Sequence, residues 1–292
     1  MKKILITGAS GFLGRYLLWN APDSCRILAQ YLRHPLDNVA SNIRTVRLDL
    51  TQKDWSAFIN FKPDIIIHTA AIATLDICQQ NQQQAREVNV DATKRLVELA
   101  SKNAARFIFT STDIVFDGEK GDYSEGDNPN PINYYGETKV AAENYILENL
   151  PISVILRTSL FHGLARGGRK SFTEVMLESL RKGKKVSTFI DEIRNPLPVG
   201  TLAKAIWELV EGEYAGVLHI GGADALSRYE MAIQLCDEFN LPKKYIVPVR
   251  AEELNISTPR PKNCSLNISF AKQLLQTELS AFKKGLTEAF RP

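Results

Sequence analysis

The chain has 292 residues, 44% of them hydrophobic and 24% charged, with a formal net charge of +3. That is enough apolar material for a large core, and it excludes a disordered, strongly polyionic protein. The densest basic run, residues 181–185 (RKGKK), reads as a solvated helix end and turn, so no nucleic-acid partner is expected.

Cys25, Cys78, Cys236 and Cys264 are scattered without metal-ligand spacing, which fits small buried hydrophobes in a reducing compartment and no metal site. The opening MKKILITG turns glycine-rich too early for a signal peptide, and no run approaches ~18 apolar residues. A cytoplasmic protein without a membrane partner is expected.

In chain order, an apolar strand at 4–7 ends in a glycine turn, and a helix follows through Leu13, Tyr16, Leu17 and Leu18. Further strand patterns lie at 26–32, 44–48, 64–68, 106–111 and 152–158. Their near-continuous Ile, Val, Leu and Phe content suits parallel strands covered on both faces. Between them, 82–102 reads as one helix with Val88, Ala92, Leu96, Val97 and Ala100 on a common face. Helices are also expected at 171–182 and 201–211, a strand at 217–220, and a helix at 227–240 opened by a Ser227/Glu230 capping box. Residues 256–265 read as a loop and 269–289 as a terminal helical region. The alternation predicts an α/β protein, a Rossmann-type doubly wound parallel sheet, and the length allows an appended C-terminal lobe. Residues 1–160 form the dinucleotide-binding domain, with 196–220 returning to it; 161–195 and 221–292 form the lobe.

Gly8, Gly11 and Gly14 follow the first strand and open a helix, the context in which glycines let backbone N–H groups approach a pyrophosphate. The second strand ends QYLRHP, with no acid to bond a ribose 2′-hydroxyl. Arg33 is then the expected clamp on a 2′-phosphate, and NADP(H) is preferred over NAD(H).

Tyr135 and Lys139 are four residues apart, hence on one helix face. A phenol titrating at about 10 exchanges protons poorly at neutral pH, and a neighbouring ammonium is expected to lower it. Thr112, at the end of the 106–111 strand, faces the crevice where open α/β sheets bind ligands. YxxxK alone says little; joined to Thr112 and the glycine loop, it points to a carbonyl-reducing nicotinamide enzyme. His68, His162 and His219 read as packed or hydrogen-bonded side chains without a catalytic role.

With ITGASGFLG, HTAA, STDIVFDG and YYGETK, the chain resembles the extended short-chain dehydrogenase/reductases. STDIVFDG followed by YSEGDNPNPINYYGETK is similar to the dTDP-4-dehydrorhamnose reductase branch. The resemblance implies Tyr135 as proton donor, Lys139 as its partner and Thr112 as the hydroxyl on the substrate carbonyl. It implies cofactor contacts from Gly8, Ser10, Gly11, Phe12, Leu13, Gly14, Asp49, Leu50, Ala70, Ala71 and Ala73. On the substrate side it implies Asp113, Phe172 and Arg260, the last reaching a nucleotide diphosphate. The implied partner is a sugar nucleotide, with a homodimer as the assembly. Where the branch has a DQxGxPT-like segment, this chain reads DEIRNPLPV. The same scaffold serves epimerases that keep their cofactor bound. The VNVDA and RYEMA segments also resemble the regulatory subunit of methionine adenosyltransferase, leaving an epimerase and a cofactor-binding regulatory subunit as alternatives.

Overall fold

The computed structural model describes residues 1–254 and 256–290. The first six strands are β1 (Lys2–Thr7), β2 (Cys25–Tyr31), β3 (Ile43–Arg47), β4 (Ile65–His68), β5 (Arg106–Thr112) and β6 (Val154–Thr158). Short strands β7 (Phe161–His162), β8 (Val186–Phe189), β9 (Ile193–Arg194) and β10 (Leu197–Pro198) follow. Then come β11 (Gly216–Ile220), β12 (Leu226–Ser227) and β13 (Ile246–Val249). The helices of the first half are α1 (Phe12–Trp19), α2 (Ser56–Phe61), α3 (Leu75–Gln80), α4 (Gln82–Arg86), α5 (Ala92–Lys102) and α6 (Tyr134–Asn149). The second half carries α7 (Phe172–Arg181), α8 (Val199–Glu211), α9 (Arg228–Phe239), α10 (Ser269–Leu274) and α11 (Phe282–Phe290).

Seven parallel strands form the central sheet in the order β11-β6-β5-β4-β1-β2-β3. The chain builds outward from β1 to β3, then returns to the other side of β1 with β4. The crevice between the carboxyl ends of β1 and β4 is therefore the topological switch point. Strand alternation sorts the core into two layers. Ile4, Ile6, Ile65 and Ile67 face Leu13 and Leu17 of α1 and Leu202 and Ile206 of α8. Leu5, Leu28 and Ile66 face Leu96 and Val97 of α5 and Ala142 and Ile146 of α6. Both faces are apolar, as the near-continuous strand pattern requires. A third core, with Met176, Leu180, Met231, Leu235, Phe282 and Leu286, binds α7, α9 and α11 into the lobe.

The capping box at Ser227 and Glu230 is present, and Ser171 with Glu174 forms a second one. Two expected elements differ. Residues 82–102 are not one α-helix, because a π-helical turn, Glu87–Asp91, separates α4 from α5. That turn points Asn89 inward, where its Oδ1 accepts from Ile72 N and its Nδ2 donates to Ile72 O and Thr138 Oγ1. Residues 269–289 split into α10 and α11. Between them the chain leaves the helical path, buries Leu275 and Leu279 against the main core, and donates Gln276 and Thr277 N–H groups to Glu208 on α8. The 256–265 loop is tied to the body by bridges from Asn263 to Ile193 and, just beyond it, from Leu266 to Tyr123.

Candidate active site

The glycine turn after β1 is shaped by close approach. Gly8 has φ +68°, and a Cβ there would lie 2.7 Å from Ala70 N. A Cβ on Gly14 would run into the Gly8 carbonyl oxygen and come within 2.6 Å of Ala9 Cα. Gly11 precedes α1 with no side chain capping the helix, which leaves the first-turn N–H groups available to an anion. Gln30, a polar residue in an otherwise apolar stretch of β2, braces the turn. Its Oε1 accepts from Gly8 N at 2.8 Å and its Nε2 donates to Leu48 O at 2.6 Å. Sequence reasoning missed Gln30, although a buried amide within the strand was its signal. Leu13 and Gly14 are buried in α1, and Phe12 stacks on Phe161 with ring centroids 5.8 Å apart. Ser10 is half-buried, and its carbonyl accepts from Arg15 Nε.

Along the adenosine side, Arg33 and His34 are exposed beyond the end of β2. Arg15, another residue missed in the sequence, reaches the same place: its Nη2 donates to Pro35 O at 3.2 Å. Two guanidinium-bearing residues thus flank the 33–35 turn. Asp49 is half-buried, and its Oδ1 accepts from the Thr51 N–H and hydroxyl. Leu50 is buried, Ala70 and Ala71 are half-buried beyond β4, and Ala73 is exposed. The turn, the uncapped helix start and the two cations together form a cradle that fits a dinucleotide phosphate chain.

Thr112 ends β5, and α6 brings Tyr135 and Lys139 to the same end of the sheet. Asn133 caps α6 by accepting from Gly136 N at 3.0 Å, and its Nδ2 donates to Pro259 O. The Tyr135 phenol is buried among Cys78, Ala85, Ile72, Leu75 and Ile114 and hydrogen-bonds the Thr112 side chain. Lys139 is 2% exposed; its Nζ donates to Thr110 O at 2.7 Å and lies 4.0 Å from the Phe109 ring centroid. Here the expected electrostatics are corrected. Burial first, then Cys78 and Asp113, push the Tyr135 phenol above its ordinary value, opposed by the Thr112 hydrogen bond. Lys139 itself is driven down to about 7 by burial, against the pull of Glu143 and Cys78. Sharing a helix face does not make the ammonium the phenol's partner when a strand carbonyl holds it.

Behind Lys139, Arg157 forks onto Glu143, with Nη2 2.8 Å and Nε 3.1 Å from Oε2, and Ser111 Oγ donates to Oε1. Sequence reasoning missed this pair, which joins positions 14 residues apart on α6 and β6.

On the substrate side, Asp113 is buried and turned inward rather than into the crevice. It accepts from Thr112 Oγ1 at 3.2 Å and Ser159 Oγ at 2.8 Å, and lies 3.6 Å from Arg194 Nε. Phe172 is half-buried at the start of α7 with the Arg228 guanidinium 4.9 Å from its ring centroid. Arg260 spans two elements, 3.7 Å from Asp76 on α3 and 3.9 Å from Glu192.

Two of the histidines are hydrogen-bonded and buried. His68 joins Thr7 Oγ1 and Thr93 Oγ1, and burial first, then Lys139, holds it down to about 3. His219 Nδ1 meets Tyr123 O at 2.9 Å. His162 packs edge-on against Phe282. Among the described residues no group of His, Cys, Asp and Glu side chains could hold a metal ion, and no helix is long and apolar enough to cross a membrane.

Known proteins share this architecture over nearly its whole length. Methionine adenosyltransferase 2 subunit beta of Bos taurus is 28% identical over 305 residues, covering 100% of this chain and 88% of that protein. The dTDP-4-dehydrorhamnose reductase of Aggregatibacter actinomycetemcomitans is 30% identical over 302 residues, covering 98% of this chain and 97% of that protein. Among solved structures, a hypothetical dTDP-4-dehydrorhamnose reductase from Sulfolobus tokodaii superposes with a TM-score of 0.86 at 33% identity, covering 97% of this chain and 98% of the other. The Bacillus anthracis dTDP-4-dehydrorhamnose reductase in complex with NADP gives 0.85 at 25% identity, covering 99% of this chain and 98% of the other. The family model described as RmlD substrate binding domain matches residues 1–292, and the chain belongs to that family.

Proposed function

We propose that the chain is an NAD(P)H-dependent carbonyl reductase whose substrate is the 4-keto group of a nucleotide-linked deoxysugar. The observation that carries this is the meeting of Thr112, Tyr135 and Lys139 at the carboxyl end of β5, on the crevice side where the glycine turn closes against Ala70. The reductase relative at 30% identity and the NADP-bound neighbour support both the reaction and the cofactor.

In this reading residues 1–160, with 196–220, hold the dinucleotide. Gly8, Ser10, Gly11, Phe12, Leu13 and Gly14 take the pyrophosphate, Ala70, Ala71 and Ala73 line the adenosine path, and Asp49 and Leu50 border the adenine. Arg33, joined by Arg15, takes a 2′-phosphate, which makes NADP(H) the preferred form. When bound, the reduced nicotinamide supplies hydride to the carbonyl carbon. Tyr135, which burial keeps protonated, gives its phenolic proton to the carbonyl oxygen. Thr112 adjoins the same oxygen, where developing negative charge needs donors. Residues 161–195 and 221–292 form the substrate lobe, with Phe172 and Arg260 at its mouth.

The test is NADPH oxidation against a panel of 4-keto sugar nucleotides and simple carbonyls. Turnover with a keto sugar is expected, and Tyr135→Phe should lower it by about 10²–10⁴-fold while NADPH still binds. Absence of oxidation across the panel would remove the reductase reading. A second reading has one observation behind it, the 28% identity over the full chain to a methionine adenosyltransferase subunit. A stable complex with an adenosyltransferase catalytic subunit, without turnover of its own, would establish that regulatory role instead.

A further inference from the structure

Every group around the Asp113 carboxylate offers it a hydrogen or a positive charge. Thr112 Oγ1 donates to Oδ1 at 3.2 Å. Ser159 Oγ donates to Oδ2 at 2.8 Å while itself accepting from Asn195 N at 2.9 Å. Arg194 Nε faces Oδ2 at 3.6 Å. The rest of that guanidinium is committed to backbone: Nη1 donates to the Ile193 and Lys262 carbonyls and Nη2 to the Pro261 carbonyl. Arg194 is 4% exposed and stands where the DQxGxPT pattern has glycine, so a family member with that pattern has no side chain here.

Thr112 has one proton and two lone pairs. Its oxygen accepts from Ile114 N at 3.2 Å and lies beside the Tyr135 phenol. With its proton given to Asp113, Thr112 faces Tyr135 as an acceptor and has nothing to donate to a substrate oxygen. A neutral Asp113 reverses the chain: the carboxyl donates to Thr112, and Thr112 donates onward. Ser159 contacts the other oxygen, Oδ2, with its proton given to Asp113 and one lone pair taken by Asn195 N–H.

We propose, on the reductase reading above, that Asp113 and Arg194 are positioning residues: the charge on Asp113 decides which way the Thr112 hydroxyl donates, and Arg194 holds that charge. Catalysis then gains its second oxyanion donor only when Asp113 is neutral. Burial raises the Asp113 carboxyl above the ordinary range, and Arg194 is the largest influence lowering it, ahead of Ser159, Thr112 and Arg228. Tyr135 from α6 and Cys264 from the C-terminal segment also feel its charge. Turnover is therefore expected to fall as pH rises through the ionisation of Asp113. Removing Arg194 should carry that limb to higher pH.

The experiment is the pH dependence of kcat for NADPH oxidation in the wild type, Arg194→Met, Arg194→Lys and Asp113→Asn. The same proteins are followed by isotope-edited NMR of the aspartate carboxyl carbons. The proposal expects the alkaline limb to move up by about 1–3 pH units in Arg194→Met, as for loss of an adjacent opposite charge. It expects the limb to stay near its wild-type position in Arg194→Lys, which keeps the charge, and to vanish in Asp113→Asn. A limb due to Lys139 would stay in place in all of them. If the limb is the same in Arg194→Met and Asp113→Asn as in the wild type, the proposal is wrong and the reductase reading stands. If the wild type oxidises no NADPH, the reductase reading fails and the carboxyl titration decides alone: an Asp113 signal that moves up in Arg194→Met sustains the pairing, and one that does not move overturns it.

Discussion

Lys139 gives a stability prediction with a change of sign. The wild type buries an ammonium that burial has brought from its ordinary 10.5 to about 7. At about 1.4 kcal/mol per pH unit, holding that charge in the folded protein at pH 6 costs about 5 kcal/mol. The folded pKa lies below the unfolded one, so the unfolded chain binds the extra proton between them. The cost is therefore complete below about 7 and disappears as pH rises toward about 10. Lys139→Met removes this penalty but leaves Thr110 O without its donor, a pH-independent loss of about 1–3 kcal/mol. Glu143 keeps its partner, because Arg157 remains bidentate on it.

The variant should therefore be more stable than the wild type by about 2–4 kcal/mol at pH 6 and less stable by up to about 2 kcal/mol near pH 10. Urea unfolding of both proteins across that range, without cofactor, gives the difference directly, since groups common to both cancel. Parallel stability curves, with no crossing, would show that Lys139 is not a buried group with a depressed affinity for its proton.

Three further outcomes follow from the geometry. Gly11→Ala brings a Cβ to 3.1 Å from the Gly8 carbonyl oxygen, a contact the turn must ease, and it intrudes on the phosphate path; NADPH binding should weaken by at least about tenfold, as read by fluorescence titration, well beyond any loss in unfolding stability. Arg33→Ala should raise the KM for NADPH while leaving that for NADH in place, and a further rise in the Arg15→Ala, Arg33→Ala double variant would assign both cations to the 2′-phosphate. Arg157→Met strands a buried carboxylate and should cost about 3–5 kcal/mol in denaturant unfolding, whereas Arg157→Met with Glu143→Leu should recover most of it; equal losses in both would mean that the pair is not the source of the effect.

What could be read beforehand was what local physics determines. Strands buried on both faces show as unbroken runs of Ile, Val and Phe, and a glycine that must let Ala70 approach shows as glycine. The capping box at Ser227 is likewise a three-residue matter. The π turn was not legible, because the reason for it, Asn89 bonding Ile72 and Thr138, lies 17 and 49 residues away. Strands of two residues, such as β9 and β12, leave no periodicity to detect. In the site, the i and i+4 spacing placed Tyr135 and Lys139 on one face but could not say where the ammonium would point. The Thr110 carbonyl and the Phe109 ring decide that, and both belong to another strand. Asp113 follows Thr112 in the chain, yet the orientation of its carboxylate depends on Arg194 and Ser159, at 81 and 46 residues' distance.

The face of α6 that meets the sheet is the reverse of an ordinary covering helix. Its buried stripe carries Tyr135, Thr138, Lys139 and Glu143 before any continuous apolar patch, with Ala142 and Ile146 in the core and Val140 and Tyr145 packed at its edge. A stripe of this kind opposes folding unless each polar group is matched, because burying unpaired amine, carboxylate and hydroxyl groups costs several kcal/mol. Here the matches come from outside the helix: Thr110 O for Lys139, Arg157 and Ser111 for Glu143, Asn89 for Thr138, and Thr112 for Tyr135. Local rules are broken along one turn after another, and the compensation is drawn from β5, β6 and the π turn together. Such concentrated violation is expected at functional or strained sites, and here it falls on the helix proposed to carry the chemistry. It also explains why Lys139→Met is expected to stabilise the acid form: the amine is the group on this stripe whose charge burial penalises.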